Sequence, residues 1–290
     1  MDKKEISNKL KQAAQFSSEG KKLHAVQILI SLVEENDSEE IYFQLAELYE
    51  DMGFILSGKN ILLELIHSKP DNQEIKLYFG QYLLRNAEWF EAIDILNTVS
   101  DNAFSAHFLI GYAYMMLKEF ELSGEYFRKY LSVNDNSELK QEANIYLAKI
   151  EYELRHFDEA LRYAKDAEYL YADFWELNLI FAKIYYSLGM FTHAAAPIQK
   201  ALKLNAKEPA VLEFAGRIYF NLSEYKKAES YFAKFIDSSS EVSAEIYTLM
   251  ARSFLKQRKI EEANLFVELA LQADPHYLPA KDCKKELIIS

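Results

Sequence analysis

The chain has 290 residues, of which 50% are hydrophobic and 14% aromatic, with only 8 glycines and 5 prolines. This composition supplies ample core material and few loop-forming residues, so it predicts a folded, helix-rich chain. The formal net charge is −12 at pH 7. Such a charge argues against a general nucleic-acid binder, because affinity for nucleic acid comes mainly from neutralising phosphates.

The cysteine count and the hydropathy pattern indicate the compartment. A single cysteine, Cys283, excludes an intramolecular disulfide framework and a cysteine-based metal cage, which fits a reducing environment. The first residues, MDKKEISNKLKQAAQF, lack the apolar core of a signal peptide. No later run reaches the roughly 18 apolar residues of a membrane span. We therefore expect a soluble, cytoplasmic protein.

Along the chain, small residues recur in two columns. The first column is Ala13, Ala46, Gly80, Gly111, Ala148, Ala182, Gly216 and Ala251, with gaps of 33, 34, 31, 37, 34, 34 and 35 residues. The second column lies 12 residues after the first and is Ala25, Gly58, Ala92, Ser123, Ala160, Ala194, Ala228 and Ala263. Three residues before the second column stand large apolar residues in every repeat except the first, which has Lys22: Ile55, Trp89, Phe120, Phe157, Phe191, Tyr225 and Ile260.

Close helix packing explains the two columns. Where two helix backbones cross at short range, only a side chain of about methyl size fits. Each repeat is therefore predicted to contain two helices that meet at the columns. Gly53 and Gly189 fall where a turn between paired helices is expected. Pro70, Pro209 and Pro275 fall between repeats, where a helix is expected to stop.

These residues resemble the tetratricopeptide repeat, a helix-turn-helix unit of 34 residues with small side chains at the helix crossing and a closing proline. The resemblance implies an all-α fold, a right-handed α-solenoid superhelix of about eight repeats in a single domain over 1–290. The predicted repeats are 6–38, 39–72, 73–103, 104–140, 141–174, 175–208, 209–243 and 244–277, with a capping helix at 278–290.

Two details of this solenoid follow from the residues. We expect Leu278, Leu287 and Ile288 to form the buried face of the capping helix. The unequal gaps of 31 and 37 place compensating length changes in the linkers at 97–104 and 133–140, where uniform superhelical curvature is not expected.

The sequence offers no pattern typical of an active site. The phosphate-binding motifs GxGxxG and GxxxxGK[ST] are absent. The six histidines lie in different repeats without a second metal ligand at helical spacing. Adjacent carboxylates such as Glu261 and Glu262 point in different directions on a helix and do not converge for acid–base chemistry. We therefore expect a non-catalytic protein without cofactor or metal.

A candidate binding surface directly follows the first column. The next residue is a cation in four consecutive repeats, and we call these four the cation row: Lys149, Lys183, Arg217 and Arg252. Three residues later stand Tyr152, Tyr186, Phe220 and Leu255. The same side continues without charge through Tyr112, Met115 and Met116, and in the second repeat it is acidic, at Glu40, Glu47, Glu50 and Asp51.

In the family that the chain resembles, the first helices line a concave groove where extended peptides or partner helices bind. The resemblance therefore implies a protein or peptide ligand. Cations beside rings suit a segment that is acidic and partly hydrophobic. The leading hypothesis is an adaptor, scaffold or chaperone that holds such a segment in its groove.

Four other interpretations stay open. The cations lie near helix-start glutamates such as Glu142, Glu176 and Glu245, so the row fits weak bridges between repeats on a solvated face. The protein is alternatively a self-associating scaffold, and hence a homo-oligomer, or an accessory targeting domain for an enzyme. RNA binding through the cation row is less supported, because the net charge opposes it.

Overall fold

A computed structural model of the chain describes residues 3–100, 104–132 and 138–289. Within these ranges it contains seventeen α-helices and no strand. The contacts divide the chain into two compact units, unit 1 (Met1–Asn136) and unit 2 (Ser137–Ser290).

Unit 1 contains α1 (Lys3–Ser18), α2 (Lys22–Glu35), α3 (Glu39–Asp51), α4 (Ile55–Ser68), α5 (Gln73–Arg85), α6 (Trp89–Leu96), α7 (Phe104–Met116) and α8 (Phe120–Leu131). Unit 2 contains α9 (Glu138–Glu153), α10 (Phe157–Tyr171), α11 (Trp175–Ser187), α12 (Phe191–Leu204), α13 (Pro209–Asn221), α14 (Tyr225–Ser238), α15 (Ala244–Lys256), α16 (Ile260–Ala273) and α17 (Leu278–Ile289).

From α1 to α16, consecutive helices pack in pairs. We call the odd-numbered member of a pair the first helix and the even-numbered member the second helix. In all these pairs, the second helix begins at the residue three places before the second small column, including Lys22 at the start of α2. The recurring large apolar residue therefore marks the start of the second helix.

Both small columns lie at the helix crossings, as predicted, and all sixteen residues are buried. A methyl group added to Gly216 would lie 2.5 Å from the ring of Phe232 on the paired helix. The hydroxyl of Ser123 donates a 2.7 Å hydrogen bond to the carbonyl of Gly111 across the crossing of α7 and α8. The crossings are therefore too close for larger side chains.

The turn inside each pair has a residue with positive φ, seven places after the first column: Gly20, Gly53, Ala87, Lys118, Arg155, Gly189, Ser223 and Arg258. The predicted turns at Gly53 and Gly189 are thus confirmed. At the first of them, the N–H of Gly53 bonds to Glu50 and that of Phe54 to Tyr49, the pattern that ends a helix in a left-handed residue. In five of the turns this residue is not glycine, so its left-handed backbone conformation is strained.

The prolines follow the prediction only in part. Pro70 lies just after α4 and Pro275 just after α16, so both follow the end of a helix. Pro209 does not stop a helix, because it is the first residue of α13. The prediction was wrong there, since the first helical position needs no N–H donor and suits the fixed φ of proline.

The helix α17 packs against α15 and α16, as expected of a cap. Its buried residues are Ala280 and Cys283, with Leu287 partly buried, whereas Leu278 is 68% and Ile288 is 81% exposed. The predicted buried face was therefore wrong at Leu278 and Ile288. At about 100° per residue, Leu278 and Leu287 lie on opposite sides of a helix, so they cannot share one face.

Some predictions fall outside what the structure describes. Residues 101–103 and 133–137, which belong to the two linkers of unequal length, lie outside the described residues. The right-handed superhelix and the repeat boundaries stay predictions. In the described part of the chain, no helix is both long and apolar enough to cross a bilayer.

Candidate functional site

The cation row lies on the first helices of unit 2, with one cation each on α9, α11, α13 and α15. These first helices contact one another directly, α9 with α11, α11 with α13, and α13 with α15. The neighbouring small residue of each helix faces its second helix, so the cation that follows points away from that crossing. All four cations are half-buried. We call this side of unit 2 the first-helix face.

Arg217 is paired with two glutamates. Its Nη1 and Nη2 atoms lie 2.6 and 3.0 Å from the two carboxylate oxygens of Glu245, on the next first helix. Its Nε donates at 2.8 Å to Glu213, one turn earlier on the same helix. Burial alone would lower the pKa of the guanidinium, but the two carboxylates outweigh it and raise the pKa. The hydrogen bonds from Arg217 lower the pKa of Glu245.

Lys149 is paired more weakly. Its Nζ lies 4.0 Å from Glu176, on the next first helix, and 5.6 Å from the centre of the Tyr146 ring. Glu176 and Glu245 occupy the same repeat position, six residues before the first small column. The predicted bridges between repeats therefore exist, and each joins a glutamate to the cation of the preceding repeat.

Lys183 has no hydrogen bond and no ion pair to any residue within the described ranges. Its Nζ lies 5.0 Å from the ring centre of Phe214 and 5.9 Å from that of Tyr152, one ring from each neighbouring first helix. Burial lowers the pKa of the ammonium group, and the more distant Glu153 and Glu213 offset only part of this effect. Lys183 is thus a half-buried cation between two rings.

Arg252 lies under the capping helix rather than on an open surface. Its Nε is buried and makes no hydrogen bond to the described residues. It lies beside Cys283 of α17, whose pKa is raised by burial and lowered in part by this guanidinium. Leu255 packs in the same cluster as Cys283 and Leu287. Of the four cations, Lys183 is therefore the one with neither a carboxylate partner in the described ranges nor a covering capping helix.

The rings beside the row are partly covered by their own repeats. Tyr186 meets Phe191 edge-on at 5.5 Å between ring centres, and it meets Phe214 edge-on at 5.8 Å. Phe220 meets Tyr225 edge-on at 5.7 Å. In each repeat the covering ring is the first residue of the second helix. Tyr186 and Phe220 are thus only partly exposed for contact with another molecule.

The uncharged members of the predicted site belong to unit 1. Tyr112 on α7 packs against the core of that unit and meets Trp89 edge-on at 6.2 Å. Met115 is half-buried, and Met116 is 44% exposed. The structure describes these residues within unit 1 and the cation row within unit 2.

Of the four acidic residues predicted on this side of the second repeat, Glu40 and Glu47 line an open cavity of about 610 Å³ in unit 1. Its lining residues are Ser38, Glu39, Glu40, Phe43, Gln44, Glu47, Lys69, Glu74 and Tyr78. The rings of Phe43 and Tyr78 stack at 3.8 Å, and the Tyr78 hydroxyl donates to Glu47 at 2.9 Å. Glu50 is neutralised by Arg85 at 3.0 Å, and Asp51 lies 4.0 Å from Lys22.

Two features of the surface were not predicted from the sequence. Phe214, whose ring lies near Lys183, stands two residues before the first column, a position that shows no recurring residue type in the sequence analysis. On the second helices of unit 1, Leu23, Leu56 and Phe90 are 66%, 69% and 71% exposed, and we call them the apolar stripe. They share one repeat position, two residues before the second column, and this position is polar in the later repeats.

Comparison with known proteins finds similarity to one family. The sequence-family model of the tetratricopeptide repeat matches residues 104–137 and 210–241. A tetratricopeptide repeat-containing protein of Caenorhabditis elegans, trd-1, is 22% identical over 220 residues, which cover 75% of this chain. The chain spans only 28% of the length of that relative.

Solved structures share the fold at low sequence identity. A tetratricopeptide repeat protein from Parabacteroides merdae matches with a TM-score of 0.60 and 17% identity, over 86% of this chain and 98% of its own. The APC/C hetero-tetramer Cut9–Hcn1 matches with a TM-score of 0.62 and 17% identity, over 92% of this chain and 52% of that chain. PilW, a type IV pilus biogenesis factor, matches with a TM-score of 0.58 and 18% identity, over 72% of this chain and 97% of its own.

Proposed function

Because the chain is a tetratricopeptide repeat protein, we propose that it is a non-catalytic scaffold that binds a partner protein on the first-helix face of unit 2. The bound part of the partner is an extended segment that is acidic and partly hydrophobic. Its apolar side chains contact the partly exposed rings, and its carboxylates approach the cation row.

The observation that carries this proposal is the combination of rings and cations on one side of consecutive first helices. Tyr152, Tyr186 and Phe220 stay partly exposed, although aromatic rings gain most from full burial. Each stands one helical turn from a cation of the row. A protein segment laid across these helices would cover the rings and meet the charges in one binding event.

Comparative co-purification tests the proposal. The full chain, its Lys183→Glu variant and its Lys226→Glu variant are used as bait, and retained proteins are identified by mass spectrometry. Lys226 is exposed on the second helix α14, so the two variants carry the same charge change on different sides. A retained protein is then purified, and its binding is measured directly.

We expect partners that bind the wild type and Lys226→Glu equally but bind Lys183→Glu at least about tenfold more weakly. If both variants retain every partner with unchanged affinity, the first-helix face of unit 2 is not the binding surface.

A second candidate is association between copies through the apolar stripe of unit 1. Three large apolar side chains in corresponding positions can pair with the same three residues of a second copy about a twofold axis. Light scattering of the wild type and of Leu56→Glu plus Phe90→Glu tests this. The candidate requires an oligomer that the double variant dissociates, and a monomeric wild type would exclude it.

A further inference from the structure

One repeat position decides which cation of the row is paired. This position lies six residues before the first small column. In one repeat it is Glu176, which pairs with Lys149 of the preceding repeat, and in another it is Glu245, which pairs with Arg217 of the preceding repeat. Between them, at the start of α13, the same position is Ala210. The cation of the repeat before it is Lys183, so the position that supplies a carboxylate to Lys149 and Arg217 supplies none to Lys183.

A second position repeats the difference. Arg217 receives Glu213, three residues before the first column on its own helix. The corresponding residue on the helix of Lys183 is Leu179, which is buried in the core. At both positions Lys183 therefore has an apolar residue where Arg217 has a bonded glutamate. Glu153 and Glu213 act on Lys183 only through space, without an ion pair in the described ranges.

The surroundings of Lys183 nevertheless hold a cation in place. The ring centres of Phe214 and Tyr152 lie 5.0 and 5.9 Å from its Nζ, within the range of attraction between a cation and an aromatic face. An ammonium group has three hydrogen-bond donors, and none of them is used by a residue of the described ranges. A carboxylate is the group that best satisfies a desolvated ammonium.

We infer that Lys183 anchors one acidic side chain of the bound segment, and that an aromatic or aliphatic neighbour of that side chain packs on Phe214 and Tyr186. This inference rests on the proposed function and narrows it. The partner is recognised by a single carboxylate at a defined place, not by a series of charges along the row. Arg217 is a structural residue of the scaffold, because three of its five N–H donors are already bonded to Glu213 and Glu245.

Selection of a random peptide library displayed on phage tests the anchor. The baits are the wild type, Lys183→Met, Ala210→Glu and the matched surface control Lys226→Met. The Ala210→Glu variant keeps Lys183 but supplies the glutamate that Glu176 and Glu245 supply in their repeats, so it should occupy the ammonium from within.

In peptides selected on the wild type and on Lys226→Met, we expect an Asp or Glu next to an aromatic or aliphatic residue. This enrichment should vanish on Lys183→Met and on Ala210→Glu. A selected peptide should bind both of these variants about tenfold or more weakly than the wild type. Changing its acid to the matching amide should weaken binding to the wild type by a similar factor and leave binding to Lys183→Met unchanged.

The outcomes separate the anchor from the proposed function. Equal loss from the amide peptide on wild type and Lys183→Met overturns the anchor and leaves the scaffold proposal standing. Peptides selected on the wild type without acidic enrichment overturn the anchor and the acidic character of the segment, and leave only the binding of a partner segment standing. Failure to select any peptide on the wild type contradicts the proposed function itself, and the anchor with it. The amide peptide needs no variant protein, so misfolding of a variant cannot mask the result.

Discussion

Lys183 and Arg217 occupy the same position in consecutive repeats, yet only Arg217 is bonded to carboxylates, Glu213 and Glu245. The two cations therefore contribute differently to the fold. Arg217 ties α13 to α15, whereas Lys183 carries the desolvation cost of a half-buried charge without an ion pair in the described part of unit 2. Their contrast gives the first two predictions.

Replacing Lys183 with methionine should stabilise the protein by up to about 1 kcal/mol at pH 7, because it removes an unpaired, partly desolvated charge. The folded-state pKa of Lys183 lies below its unfolded value, so the charge costs stability below that pKa. As pH rises through the folded pKa towards the unfolded value near 10.4, the cost fades. Urea unfolding of the wild type and Lys183→Met at pH 7 and pH 10 measures this cost as a difference in the free energy of unfolding.

In that series, the free-energy difference between Lys183→Met and the wild type should be larger at pH 7 than at pH 10. A variant that is clearly less stable at pH 7 would show that Lys183 serves the fold, and the argument for a ligand site would then fail.

Replacing Arg217 with methionine should destabilise the protein by about 1–2 kcal/mol, between the values for exposed and buried pairs, because two carboxylates lose their partner. The folded-state pKa of Glu245 is lowered, so its contribution is present above the unfolded pKa near 4.3. It is lost as pH falls through the folded pKa. The gap between wild type and variant should therefore narrow at acid pH, as followed by urea unfolding from pH 7 to pH 3.

The turn residues provide a third prediction. Gly189→Ala should cost about 1 kcal/mol, because φ is +71° there and a Cβ atom would meet nothing within 4 Å, so only backbone strain is added. Arg155, with φ of +62° at the corresponding turn, should respond in the opposite direction. Arg155→Gly should leave stability unchanged or raise it by a few tenths of a kcal/mol. Thermal unfolding of both variants checks the pair.

The helix crossing provides a fourth prediction. Gly216→Ala should cost about 1–3 kcal/mol, because its methyl group would lie 2.5 Å from the Phe232 ring. In Phe232→Leu, the same substitution should cost less, because the smaller side chain leaves room. A double-mutant cycle measures this coupling. Additive effects would mean that the two residues do not meet at the crossing.

The fold could be predicted from the sequence because the crossings constrain side-chain size locally. The two small columns, which include Ala182 and Ala194, recur along the chain, and a recurring restriction on side-chain size can be recognised from the sequence alone. The face of the capping helix was predicted wrongly at Leu278 and Ile288, since hydrophobicity was considered without the angle around the helix.

The pairing within the cation row was less accessible to sequence reasoning. The cations were visible, but which of them is free depends on a residue of the next repeat. That residue is Glu176, Ala210 or Glu245, which share one repeat position. Its role could be recognised only after the structure showed that Glu176 and Glu245 contact the cation of the preceding first helix. Phe214 was missed for the same reason, because its contact with Lys183 joins two repeats.

The central claim is that a partner segment lies on the first-helix face of unit 2. Site-specific photo-cross-linking tests it most directly, with benzoylphenylalanine replacing Tyr152, Tyr186 or Phe220 on first helices and, as controls, Lys226 or Glu261 on second helices. A library-selected peptide should become covalently attached at the first three positions and not at the controls. Attachment at the second-helix positions, with none at Tyr186, would contradict the claim.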